Sequence, residues 1–185
     1  MDAPSQAEPF AADVVAASEG PLLRRWLIAI SGLAAVGTAL ELLLLRHWDN
    51  GLEVIPFVSL AALGVAIAIL AAAHSPRAVH VARLVSSAVA ASGAIGVFIH
   101  VRANYEAAPL DFRFTDSWPT TAESIRWILA ATDTVGPSPT LAPAALTFAA
   151  LALLAATLRH PALAGAPQGS SLEHSENPPS VLMTP

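Results

Sequence analysis

The chain of 185 residues contains no cysteine and no lysine, a single tyrosine and few charges. Without cysteine there is no disulfide framework, no thiolate metal site, no iron–sulfur site and no cysteine nucleophile. All nine basic residues are arginine, and charged residues make up 12% of the chain, against about a quarter in a soluble domain. A phosphate-binding glycine loop, a nucleophile elbow and a zinc-protease helix motif are also missing, which excludes the common signatures of those chemistries. No basic cluster of the kind that grips nucleic acid is present.

What is there is apolar. Hydrophobic residues make up 55% of the chain, and the mean hydropathy is +0.59. The net charge of −5 comes from the ends: Asp2, Glu8, Asp13, Glu19, Glu173 and Glu176 account for six of fourteen acids, leaving eight against nine arginines. The start lacks the basic n-region of a cleavable signal, and no Ala-x-Ala site follows the first apolar run, so that run reads as a retained signal anchor.

Four windows are long enough, at 1.5 Å per residue, to cross a hydrocarbon core about 30 Å thick. They are residues 26–45, 54–73, 82–101 and 141–158, and they are apolar all round rather than striped. The expected fold is therefore an all-α membrane protein, a bundle of four transmembrane helices over residues 22–160. Residues 1–21 and 161–185, rich in Pro, Ser, Gly and acids, read as disordered tails. Arg24, Arg25, Arg77, Arg83 and Arg159 fall on one side, with Arg46 and Arg102 near the helix ends of the other. By the positive-inside rule both termini are cytoplasmic, in a multi-pass protein of a cell inner membrane. Trp26, Trp48 and Tyr105 stand at span ends, where amphipathic rings prefer the interface.

The 102–140 connection is too long for a plain loop. Thr120 and Glu123 are spaced as a capping box, followed by Ile125, Ile128 and Leu129 on one helical face. A short interfacial helix over about 121–132 is expected there, lying on the outer surface or capping the bundle. Small residues at four-residue spacing, Gly64-Ala68-Ala72 and Ala82-Ser86-Ala90-Ala94 with Ser92 and Gly96 beside them, place the second and third spans at the centre of the bundle.

Chemistry has few candidates. Glu41 is the one carboxylate inside a span, a costly position that favours the bundle interior or a water-filled cavity. His100 ends the third span on the same side, with Asn104 and Glu106 one to two turns on. These four form a candidate intramembrane polar site, either a pair that fixes helix register or a functional centre. No metal site is predicted, because no His-x-x-x-His spacing occurs. His47, His80, His100 and His160 come nearest to a ligand set. His80 and His160 share a depth that would suit haem b, but no cofactor is expected.

The stretch His100-Val-Arg-Ala-Asn104-Tyr-Glu106, with Pro139-Thr-Leu141-Ala-Pro143 opening the last span, resembles small bacterial four-helix inner-membrane proteins. In those, a His-x-x-x-Asn-x-Glu stretch ends the third helix and a Pro-x-Leu-Ala-Pro stretch opens the fourth. The resemblance implies the architecture and draws interest to His100, Asn104 and Glu106. It implies no activity. The expected function is a small non-catalytic accessory or assembly subunit of a membrane complex, whose partners are the lipid bilayer and other membrane subunits. The alternatives are proton-coupled or small-solute transport centred on Glu41 and His100, and a haem- or quinone-handling redox subunit.

Overall fold

The structure, a computed structural model, describes residues 7–46, 48 and 51–164, with side chains from Gly20 onward apart from Leu52. The expected tail residues 1–6 and 165–185, and His47 as a ligand, lie outside the described residues. Five α-helices follow one another: α1 (Ala7–Leu44), α2 (Ile55–Ala71), α3 (Pro76–Ala107), α4 (Glu123–Ala131) and α5 (Leu141–Ala156). No strand occurs among the described residues.

The helices start where local chemistry lets them. Ser75 caps α3 by accepting a hydrogen bond from the Ala78 amide, and Pro76 follows at the first helical position, where its missing N–H is not needed. Pro76 therefore opens α3 rather than stopping α2, which already ends at Ala71. The α3 helix begins six residues before its apolar window, because Arg77 and His80 are compatible with helix though not with lipid. At its far end α1 closes through Arg46 in the left-handed region, as α5 does through Arg159. The α1 helix also runs back to Ala7, through most of the stretch expected as a tail. Ala11, Ala12, Ala16 and Ala17 favour helix there, while Pro21 removes one backbone donor from it.

The α5 helix holds the centre. It packs most extensively on α3, with α1 on another side, while α2 packs mainly on α3. The expected centre, the second and third spans, is thus only half right. Gly64, Ala68 and Ala72 are all exposed. On α3, Ala82 and Ser86 are buried but Ala94 is exposed. A row of residues four apart drifts about 40° per step round a helix of 3.6 residues per turn, so it leaves any straight seam. The buried positions instead alternate steps of three and four. On α3 the run is Val79, Ala82, Ser86, Val89 and Gly93, with Asn104 buried further on; on α5 it is Ala142, Leu146, Ala149, Leu153 and Ala156, with Ala150 buried beside it. This is the spacing of a left-handed bundle seam.

Close approach follows from small residues. A side chain at Gly93 would run into the Thr147 hydroxyl and come 2.9 Å from the Pro143 carbonyl oxygen. Ser31, fully buried on α1, donates a 2.8 Å hydrogen bond to the Ala149 carbonyl of α5. Ser59 and Ser92 join α2 to α3 at 3.3 Å.

Two helices, over Gly20–Leu44 and Pro76–Leu110, are long and apolar enough to cross a membrane, and 22% of each apolar window is buried. The α2 and α5 helices are apolar but shorter, with 17 and 16 residues.

The α4 helix covers one end of the bundle, shorter than expected at nine residues. The capping box does not form. Pro119 opens a 3-10 turn over Trp118–Thr120, and the Thr120 and Thr121 hydroxyls donate instead to the Ser117 carbonyl. Ala122 then becomes the N-cap residue, and Glu123 stands at the first helical position, still beside the positive end of the helix dipole.

Candidate functional site

Of the four expected polar residues, the structure makes Asn104 the hub. It is fully buried near the end of α3. Its amide nitrogen donates to the Ala130 carbonyl at 3.2 Å, to Asp133 Oδ1 at 3.2 Å and to the Ser138 carbonyl at 2.8 Å. Its carbonyl oxygen accepts from the Ser138 amide at 2.7 Å. One side chain thereby ties α3 to the end of α4 and to the connection into α5.

Asp133 extends the network. It sits in the left-handed region and accepts from both the amide and the hydroxyl of Thr140, the residue before α5. Gly136, with φ of +81°, lies directly over Asn104: an added Cβ would collide with Asn104 Oδ1 and lie 2.5 Å from its Cα. A side chain there would be both strained and blocked.

The other expected members lie apart from this hub. Glu106 forms an exposed ion pair with Arg102 at 2.7 Å, an arrangement that contributes little to stability. Glu41 is partly buried on the last turn of α1 and makes no side-chain hydrogen bond or ion pair with another described residue. His100 is partly buried one turn before Asn104. The histidines weighed as haem ligands are not alike: His80 is exposed, whereas His160 is buried, with Nδ1 accepting from the Ala162 amide. Among the described residues no three His, Cys, Asp or Glu side chains gather as a metal site.

An aromatic cluster covers the same end of the bundle. Tyr105 stacks on Trp127 with ring centroids 4.5 Å apart and meets buried Trp118 edge-on at 5.4 Å. The Arg126 guanidinium stands over Tyr105 and Trp118, within 6 Å of each ring centre, a cation–π placement. Tyr105, expected at a span end, seats α4 on α3 through these ring contacts. Nearby, Arg113 forks onto Asp111 and also donates to the Thr134 carbonyl. Its hydrogen bonds hold the Asp111 carboxyl below the usual carboxylate range.

The opposite end is organised by arginine. The last carbonyls of α5 have no intrahelical partner. Arg83 of α3 donates to the hydroxyl and the carbonyl of Thr157, both at 2.8 Å. Arg24 of α1 donates to the Ala156 carbonyl at 3.3 Å and the Arg159 carbonyl at 3.2 Å. Cations suit the negative end of a helix dipole, so the two arginines hold three helices in register there. His160 sits against them, and burial, then the charges of Arg24 and Arg83, push its pKa below the ordinary imidazole value.

Sequence reasoning grouped Arg24, Arg83 and Arg159 at one end but did not find this cap. Three of its four acceptors are backbone carbonyls, which carry no residue-type signal. Compared with known proteins, the chain matches no family model, no curated protein and no solved structure.

Proposed function

We propose that the chain is a small four-span integral membrane protein of a bacterial inner membrane, with both termini cytoplasmic, acting as a non-catalytic accessory or assembly subunit. The observation that carries the reading is the outer surface. Leu33 and Val36 on α1, Val58 and Val65 on α2, Leu84 and Ile95 on α3, and Phe148 and Leu158 on or just after α5 are all exposed. In the interior, small residues such as Ala66, Ala82, Ser86, Gly93 and Ala149 lie between buried Leu and Val side chains and let the helices approach. A water-soluble bundle would set polar side chains on that outer surface, whereas lipid accepts large apolar ones. The polar groups at both ends support a structural role, because Asn104, Arg24 and Arg83 are engaged in fastening helices and connections.

Reporter fusions after residues 77 and 120 test the topology, with alkaline extraction testing the spans. The expected outcome is a cytoplasmic reporter at 77, an outside reporter at 120 and retention in the membrane at high pH. A cytoplasmic reporter at 120 overturns the orientation, and release by alkali overturns the spans. Isolation in mild detergent is expected to yield a complex larger than the chain's own 19.0 kDa.

One observation favours a second reading, transport centred on Glu41 and His100. Glu41 is partly buried without a partner among the described residues, and a carboxylate so placed within a span suits a proton or cation path. Under this reading Glu41→Gln abolishes proton-coupled flux in reconstituted vesicles while leaving the fold intact. Under the structural reading the same substitution is neutral or stabilising, since it removes a costly charge.

A further inference from the structure

Beside the arginine cap lies a cleft of about 280 Å³ between α1, the end of α2 and the turn at Pro161. Arg24, Arg25 and His160 form its polar wall, and Ile28 and Leu70 its apolar one. We infer that this cleft holds the headgroup phosphate of an anionic phospholipid, with Arg24 and Arg25 as the donors; the inference rests on the four-span reading.

The donors are on hand. A guanidinium carries five N–H groups, and Arg24 engages two of them with the Ala156 and Arg159 carbonyls. Arg25, one residue on, makes no side-chain hydrogen bond or ion pair with another described residue. His160 accepts at Nδ1, so its neutral ring carries the proton on Nε2 and adds a third donor. The planar fork of arginine matches phosphate oxygens two at a time.

Charge gives the preference among lipids. Arg83 adds a further positive charge beside His160, on the Thr157 carbonyl at the end of α5. The helix dipole contributes only about half a negative charge there, so the surroundings remain positive. Among the described residues no carboxylate lines the cleft, so none of them would pair with the ammonium of a zwitterionic headgroup. The apolar wall from Ile28 and Leu70 suits the glycerol and first methylenes of an acyl chain. In the four-span orientation the cleft opens at the cytoplasmic headgroup level, where basic pockets between helices select anionic lipid.

Native mass spectrometry of the full chain in non-ionic detergent, titrated with phosphatidylglycerol or phosphatidylcholine, tests the inference. Wild type is expected to retain phosphatidylglycerol in clear preference, and Arg25→Ser to weaken that binding about fivefold, the effect of one arginine at a charged lipid surface. Arg25 is chosen because it is exposed and makes no side-chain hydrogen bond or ion pair with another described residue, and an unchanged thermal midpoint checks that the fold does not need it. Equal binding of the two lipids, or no effect of Arg25→Ser, overturns the proposal. Displacement of the lipid by inorganic phosphate at equal affinity also overturns it, in favour of a soluble-anion site. Release of the chain from membranes by alkali removes both this inference and the four-span reading, whereas retention without lipid preference removes this inference alone.

Discussion

Asn104→Ala is expected to destabilise the protein by about 3–5 kcal/mol, at roughly 1–3 kcal/mol for each buried group left unpaired. The substitution removes the four Asn104 hydrogen bonds by which α3 holds the end of α4 and the α4–α5 connection. The Ala130 and Ser138 carbonyls and the Ser138 amide all lose a partner at once. Asn104→Asp is expected to do at least as badly, because a carboxylate cannot donate to two carbonyls and would face Asp133. Gly136→Ala attacks the same contact from the other side. It forces an alanine into the left-handed region, at about 1–2 kcal/mol, and drives its methyl into the Asn104 amide. Thermal unfolding in detergent, followed through the fluorescence of Trp118 and Trp127, reads all three. A wild-type midpoint for Asn104→Ala would remove the hub from this account.

The second large effect is a pair with opposite signs. Gly93→Ala is expected to cost about 1–3 kcal/mol, as overpacking does in a close-packed interior. Its methyl would meet the Thr147 hydroxyl, the Pro143 carbonyl and the Thr147 amide. Two of these are backbone, so α3 and α5 would have to move apart. Gly64→Ala makes the same chemical change on α2, where nothing lies within 4 Å of the new methyl. It is expected to be neutral or to stabilise by up to about 1 kcal/mol through helix propensity. Midpoints of both variants beside wild type decide the matter. Equal shifts would mean that the α3–α5 contact is not what sets stability.

This contrast marks where the sequence stops being informative. The four apolar runs locate the four large helices, since length and hydropathy alone decide them. The start of α3 is misplaced, because Arg77 and His80 read as headgroup residues although helix geometry accepts them. Which face turns inward is hidden for a different reason. A helix apolar all round has no amphipathic stripe to read, and Gly64 and Gly93 look alike until their neighbours are known. Asn104 was legible as a residue of interest through the motif ending the third span. Its partners at 130, 133 and 138 were not, because two of them contribute only backbone atoms. Thr120 and Glu123 had the spacing of a capping box, but Pro119 turned the chain first and the pattern went unused.

The unequal helices carry a consequence of their own. At 1.5 Å per residue, α2 and α5 measure about 26 and 24 Å, while a typical hydrocarbon core is about 30 Å thick. In the four-span reading, lipid beside α2 must shorten to meet it or draw polar atoms inward, whereas lipid beside the 32-residue α3 need do neither. The molecule would then stand in the bilayer as a wedge of uneven height, with a dimple on its α2 side. Such hydrophobic mismatch gives it a reason to collect thin lipid, or a second helical protein, along that side and not the other.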